Sequence, residues 1–335
     1  MTEGRKRRRR GGRGSRFGHP PVFAVLDLGT HNCRLLIARP EQGGKFRVVD
    51  SFSRIVRLGE GVAQTGNLAD AAIARTLAAL KVCANRIRAN RATHVRAIAT
   101  EACRRAANAD VLLDRAKTET GIQLKVLTAD EEAHLAATGC APLIGRRYEG
   151  ALIFDIGGGS TETIWMQRDS QAMKVRKAIS VPAGVITIAE HQPGPMTRMR
   201  YEKIFSEMFE RFADVRAEMD KIAAFDPAKH HLLGTSGTVT TLAGIALGLP
   251  RYIRAKVDAS WHESVAILKI ADDIAGFDHQ QRAKLGCVGP ERAELIVPGC
   301  AIFSAIHAHW PCAELRVADR GLREGMLREM MDAHR

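Results

Sequence analysis

The sequence predicts an α/β protein built from two related halves, each opening with a strand–turn–strand unit. Three observations carry that prediction. The apolar run Phe23-Ala24-Val25-Leu26 ends in Asp27 and continues as Leu28-Gly29-Thr30, while Leu152-Ile153-Phe154 ends in Asp155 and continues as Ile156-Gly157-Gly158-Gly159-Ser160-Thr161. Each reads as a buried strand entering a tight turn, followed by a returning strand. A third glycine/hydroxyl turn, Gly234-Thr235-Ser236-Gly237-Thr238, follows a short strand and opens a helix. Glycines permit turns that few other residues make and leave backbone N–H groups bare, a nest suited to phosphate. A helix start adds a positive dipole end.

In chain order, residues 23–30, 33–39 and 45–56 read as three strands of one sheet. Residues 70–90 carry the apolar spacing of a helix (Ile73, Leu77, Leu80, Ala84, Ile87), with Lys and Arg late in it. A strand at 94–99 enters Thr100-Glu101-Ala102-Cys103-Arg104, the opening of a helix expected to reach about residue 120. A strand at 123–127 then leads to Thr128, which with Glu131 three positions on forms a capped helix start. The second half repeats the three-strand opening at 151–156, 162–167 and 173–181. A helix at 198–219, a strand at 231–233, a mostly helical stretch at 256–282, a helix at 290–309, a strand at 314–317 and a terminal segment from 322 to 334 complete it. The expected division is a tail at 1–20, a first domain at 21–145 and a second at 146–335, with one hinge at 142–150 and a second crossing not placed.

The chain has 335 residues, enough for about two cores. Its hydrophobic content of 45% is that of a globular protein, and no run approaches the length of a membrane helix. The seven cysteines are scattered and never spaced C-x-x-C, which argues against a zinc site or disulfide framework and for a reducing cytoplasm. The arginine-rich start lacks the apolar segment of a signal peptide. Net charge is +13, and residues 1–16 contribute eight Lys/Arg against one Glu. That tail is expected to be disordered, either as a polyanion- or nucleic-acid-binding arm or as a solubilising extension.

A carboxylate on each side of the second turn, Asp155 and Glu162, would repel bare phosphate unless a divalent cation sat between them. Asp27 is either an opposing carboxylate or a turn cap. Glu131 and Glu132 are adjacent at a helix start, so only one can face a given cleft, and both also suit the positive helix end.

Two such halves with facing phosphate loops resemble the actin-like ATPase superfamily, which implies two RNase H-like domains with the active site between them. Within it the chain, from about Phe23 to Met326, resembles the exopolyphosphatase / guanosine pentaphosphate phosphohydrolase family. The resemblance rests on seven segments in order: Asp27–Thr30, Thr100–Arg104, Asp130-Glu131-Glu132-Ala133, Asp155–Glu162, Gly234–Thr238, Glu291–Gly299 and Asp319–Gly325. It implies hydrolysis of a terminal phosphoanhydride, with Glu132 as general base. Phosphate would be held by Gly29, Thr30, Asn32, Arg34, Arg104, Gly157, Gly158, Gly159, Ser160, Thr161, Thr235, Ser236, Gly237, Thr238 and Arg292. Asp155, Glu162 and Asp27 would hold Mg²⁺, with Mn²⁺ as the alternative ion and no organic cofactor.

For Arg34 and Arg292 a surface salt bridge is the competing role; for Arg104 the competitor is Arg105; Arg323 is structural by default. His31 stands where the family more often has Ser or Asn, and is expected to face solvent ahead of phosphate. The chain ends at Arg335, so the helical HD-like extension of longer members is expected to be absent, which puts in doubt processive handling and a homodimer built through it. Inorganic polyphosphate is the expected substrate, guanosine pentaphosphate the alternative. A non-catalytic regulator binding the same anions and an ATP-dependent kinase or ATPase are the other readings.

Overall fold

The computed structural model describes residues 21–42, 45–170, 172–192 and 194–334, so the arginine-rich tail lies outside the described residues. The first lobe contains β1 (Phe23–Leu28), β2 (Asn32–Pro40), β3 (Phe46–Ile55), α1 (Val62–Thr65), α2 (Asp70–Ala89), β4 (His94–Ala99), α3 (Glu101–Arg105), α4 (Ala109–Thr120), β5 (Leu124–Val126) and α5 (Ala129–Cys140). Its sheet runs β3-β2-β1-β4-β5. The first three strands form an antiparallel meander, and β4 and β5 join β1 in parallel.

The second lobe contains β6 (Gly150–Ile156), β7 (Thr161–Asp169), β8 (Ala172–Val181), α6 (Val185–His191), α7 (Arg198–Asp220), β9 (His230–Thr235), α8 (Ser236–Ala246), α9 (Arg254–Val257), β10 (Trp261–Glu263), α10 (Ser264–Gly276), α11 (His279–Lys284), α12 (Ile296–His309), β11 (Glu314–Ala318) and α13 (Leu322–Asp332). Its sheet runs β10-β11-β9-β6-β7-β8. Read as β8-β7-β6-β9-β11 it repeats the first sheet, with the same meander and the same two parallel additions. The duplication is the RNase H-like, actin-type architecture.

The two lobes exchange helices. Ala133, Ala136, Ala137 and Cys140 of α5 bury against Ile153, Ile164 and Met166 of the second sheet. Met326, Leu327 and Met331 of α13 bury against Phe23, Val25 and Leu36 of the first, with Leu135 of α5 in the same cluster. The second crossing between lobes is therefore Arg320–Leu322, and a division at 145/146 follows chain order, whereas α5 and α13 pack by exchange. The helices cross at two glycines. A Cβ on Gly139 would sit 2.0 Å from the Gly321 carbonyl oxygen, and one on Gly325 would sit 1.9 Å from that of Leu135. No side chain fits at either point.

Several elements differ from expectation. The helix foreseen from 100 to 120 is broken, because Ala106 is extended and the Asn108 side chain turns to bond both backbone groups of Leu68, at 2.7 and 3.0 Å. The stretch at 256–282 contains β10, three residues long and held by pairing with β11, too short to carry a periodic signal. The helix expected from 290 begins at Ile296. It is buried on nearly every side, as its uniformly apolar sequence demands.

Candidate active site

The two β-turns that open the lobes share one backbone bond. Gly29 N donates to Asn32 O at 2.9 Å, and Gly157 N donates to Ser160 O at 2.9 Å. Asp27 and Asp155 each stand two residues before that glycine, and Ser236, at the start of α8, closes the third side. All three turns line a cavity of about 110 Å³ that also contains Glu101, Glu132 and Glu162. It adjoins a cavity of about 250 Å³ toward Arg320 and Arg323 and one of about 80 Å³ toward Leu295 and Ile296; Arg34 and Ser236 line all three.

None of Gly157, Gly158 and Gly159 has a left-handed φ. Close approach requires them instead. A Cβ on Gly159 would lie 2.7 Å from Glu101 Cγ and 2.9 Å from Thr30 Oγ1, and one on Gly158 would lie 3.2 Å from Thr30 Cβ. The loops of the two lobes touch across the cleft. The left-handed residue is Ser236, with φ 77, a conformation unfavourable for a side chain that here sits at the cleft.

The adjacent glutamates separate cleanly. Thr128 Oγ1 accepts from Glu131 N at 3.2 Å, and Glu131 Oε2 accepts from Thr128 N at 2.9 Å. Lys125 Nζ holds Glu131 Oε1 at 2.5 Å. Glu131 is thus committed to the cap, and Glu132, one residue on, faces the cavity. Its Oε2 accepts from Arg104 Nη1 at 2.9 Å.

Arg104, expected on phosphate, is instead a clamp. It also donates to Glu101 Oε2 (3.1 and 2.5 Å) and to the Leu127 carbonyl at 2.9 Å, and it lines none of the three cavities. Thr161, expected on phosphate, is buried and donates its hydroxyl to the Ala183 carbonyl at 2.7 Å. Thr235 donates to the Arg320 carbonyl at 3.0 Å and Ser160 to Glu162 at 2.6 Å. These three hydroxyls are thus committed to protein partners. Gly29, Thr30, Asn32, Arg34, Gly157, Gly158, Gly159, Ser160 and Ser236 line the central cavity, and Gly237, Thr238 and Arg292 line its neighbour. Arg34 forms no salt bridge, and Arg292 has only a 3.4 Å contact to Thr241 Oγ1 among the described residues.

Desolvation dominates the electrostatics. It pushes Glu162 up to about 7, with Asp155 adding repulsion and the hydroxyls of Ser160 and Ser180 opposing it. It pushes Asp155 up to about 6 and raises Asp27, in both cases opposed by Arg34. Glu132 is driven well above the usual carboxylate range by desolvation, then by Glu162, against the pull of Arg104. His31 does not face solvent. Its ring nitrogens are shielded without a partner among the described residues, and desolvation, then Arg57, Arg292 and Arg34, lower it to about 4, so the ring is neutral.

Asp27, Asp155, Glu162 and Glu132 are hard oxygen donors around one void; Asp27 raises the proton affinity of Asp155, Asp155 that of Glu162, and Glu162 that of Glu132, and a divalent cation there would relieve the repulsion. Among the described residues no three such groups close on one point. The donor chemistry of Asp155 and Glu162, hard oxygens facing one void, is of the kind that a hydrated Mg²⁺ takes. Sequence reasoning left out Glu101, buried opposite Gly159, and Ser180, which donates to Glu162 at 2.9 Å. Ser180 pairs directly with Glu162 across β7 and β8, so a register assignment alone would have found it.

A duplicated RNase H-like fold whose phosphate loops and unpaired arginines enclose carboxylates of raised proton affinity defines a class, the hydrolases of phosphoanhydride bonds on the actin-like fold. The chain belongs to the Ppx/GppA phosphatase family, whose model matches residues 36–334. It is 30% identical over 296 residues to "Exopolyphosphatase 2" of Mycobacterium tuberculosis, covering 84% of this chain and 89% of that one. It is 28% identical over 327 residues to "Guanosine-5'-triphosphate,3'-diphosphate pyrophosphatase" of Photobacterium profundum, covering 94% of this chain and 60% of that relative. Among solved structures it matches the Ppx/GppA family member of Aquifex aeolicus with a TM-score of 0.77 and 30% identity, covering 94% of this chain and 98% of that one. Among the described residues no helix is long and apolar enough to cross a membrane.

Proposed function

We propose that this protein releases terminal orthophosphate from inorganic polyphosphate in a Mg²⁺-dependent reaction, with Glu132 as general base. The observation that carries the reading is Glu132 itself, the one of two adjacent glutamates left free by the capping box, facing the cavity lined by both phosphate turns. A carboxylate whose proton affinity desolvation raises above the ordinary range is a stronger base toward water. Arg104 fixes the carboxylate's direction without entering the cavity. Backbone N–H groups of Thr30, Gly158 and Gly159 and the guanidinium of Arg34 hold the terminal phosphate oxygens, since the N–H groups of Gly29 and Gly157 already close their own turns. The water oxygen bonds to the terminal phosphorus, its proton goes to Glu132, and the bridging P–O bond breaks toward the remaining chain. A divalent ion held by Asp155 and Glu162, with Asp27 opposite, would neutralise phosphate charge there.

Guanosine pentaphosphate is the second reading. It is favoured by the small cavity in which Ile156, Val185, Leu295 and Ile296 give apolar surface beside Arg292, as a nucleoside would need. The test is phosphate release from polyphosphate of defined lengths, guanosine pentaphosphate and ATP, with Mg²⁺ and with EDTA. Release from polyphosphate, lost in EDTA, supports the first reading; preference for guanosine pentaphosphate moves the assignment to the second. The Glu132→Gln variant should lose 10²- to 10⁴-fold in kcat, roughly what general base catalysis contributes, while still binding substrate. Undiminished release from that variant would falsify the role of Glu132.

A further inference from the structure

The acids around the interlobe crossing are already paired. Asp258 takes Arg320 through Nε at 3.1 Å, and Glu324 accepts from Arg254 at 2.7 Å and from Gly321 N at 2.9 Å. Asp319 accepts from the Tyr252 hydroxyl and lies 3.4 Å from Arg254. Arg323, in the first turn of α13, is left out of this network. It lines the cavity of about 250 Å³ together with Arg34 and Arg292, and among the described residues it makes no hydrogen bond and no ion pair. Desolvation lowers its proton affinity, opposed by Glu324 and Asp27 and furthered by Arg34 and Arg254. Beside a second guanidinium in a partly desolvated wall, and with its N–H groups engaged by no side chain, Arg323 keeps its donors free for an incoming anion even though Asp27 and Glu324 lie near. Two guanidinium forks in one void match the oxygens of a phosphate chain.

The cavity that Arg323 lines shares Asp27, Arg34, Asp155, Ser236 and Leu322 with the cavity of Glu132, but contains neither Glu132 nor Glu162. A substrate whose terminal phosphate lies at Glu132 reaches Arg323 only with its later phosphates. We propose that Arg323 is a substrate-binding residue which, with Arg34, grips the phosphates behind the one being released and so favours chains of several phosphates. The proposal rests on the phosphohydrolase reading above. It also gives the crossing a task, since α13 packs on the first lobe while the strand feeding it belongs to the second.

The test compares wild type with Arg323→Gln and Arg323→Lys on long-chain polyphosphate and on tripolyphosphate. For Arg323→Gln, KM on the long chain should rise roughly tenfold, the scale of losing charged hydrogen bonds, with a smaller change in kcat. The rise should be smaller on tripolyphosphate, and Arg323→Lys should recover part of it. Melting of the substrate-free Arg323→Gln protein should be unchanged or higher, because a desolvated charge is removed. An unchanged KM, or an equal rise at both lengths, overturns the proposal. If Arg323→Gln does not fold, the ratio of KM changes at the two lengths is read from Arg323→Lys by the same criterion. A wild type that releases no phosphate, with a Glu132→Gln variant that binds neither chain, removes the phosphohydrolase reading itself; an active wild type with unaltered Arg323 variants removes only this inference.

Discussion

In the first lobe Asp27 stands opposite Arg34 across β1 and β2; in the second, Asp155 stands opposite Glu162 across β6 and β7. The backbone is the same in both places, down to the glycine N–H that closes each turn at 2.9 Å. Only the residue facing the aspartate has changed sign. The first lobe thus gives the cleft a cationic wall that can hold phosphate oxygens. The second gives it an acidic wall whose repulsion a divalent cation would relieve. On the proposed reading a metal–phosphate substrate would use both at once, and duplicating a turn while reversing one charge would supply them from one topology.

That comparison can be broken at either wall. Glu162→Gln should have the largest effect, lowering kcat by about 10²-fold or more and raising the Mg²⁺ concentration needed for half-maximal rate, since one hard ligand is lost. A Mg²⁺ titration of phosphate release checks it, and an unaltered Mg²⁺ dependence removes Glu162 from the acidic wall. Arg34→Gln should act on the other side, raising KM by roughly tenfold while leaving the Mg²⁺ dependence in place.

The turn glycines sharpen the comparison. Gly159→Ala drives a methyl into Glu101 and Thr30 and should reduce kcat/KM by about tenfold by holding the loops apart, a displacement of the kind that positioning effects penalise. Gly29→Ala meets only the Asn32 carbonyl at 3.6 Å and should be tolerated. Similar losses in both variants would mean that the turns are not distinguished by close approach.

The smallest effect is in stability. Glu162 rises from its ordinary 4.5 to about 7 and Asp155 from 3.8 to about 6, so the folded protein favours their protonated forms. Above the raised values both charges oppose folding, and this penalty fades as pH falls from about 7 toward 5. In EDTA, melting temperature should therefore rise by a few degrees between pH 8 and about pH 6, and the rise should shrink in Glu162→Gln. A flat profile in the wild type would mean that the acidic wall is better solvated than its geometry implies.

Much of this was legible in the chain. The apolar runs ending in Asp27 and Asp155 marked the two central strands, because burial on both faces requires continuous branched residues. The Thr128–Glu131 spacing marked the capped helix start, while the choice of Glu132 over Glu131 came from the family resemblance and not from the spacing. Other features were not legible. β10 is three residues held by a partner far away in the chain. Arg104 looked like a phosphate ligand because an arginine beside a loop carries no mark of which carboxylate it will meet. His31 looked solvent-facing because nothing near it in sequence foretells Arg57 and Arg292.

By itself, then, the sequence determined two β-meanders with glycine turns, the acids at their ends and the capped helix start at Thr128, since each depends on residues within one or two turns of chain. Tertiary structure alone decided that α5 and α13 change lobes, that Gly158 and Gly159 are needed for contact with Thr30 and Glu101, and that Arg34 and Arg323 line one void. These depend on groups brought together across tens to hundreds of residues, and packing and desolvation at such contacts have no local signature.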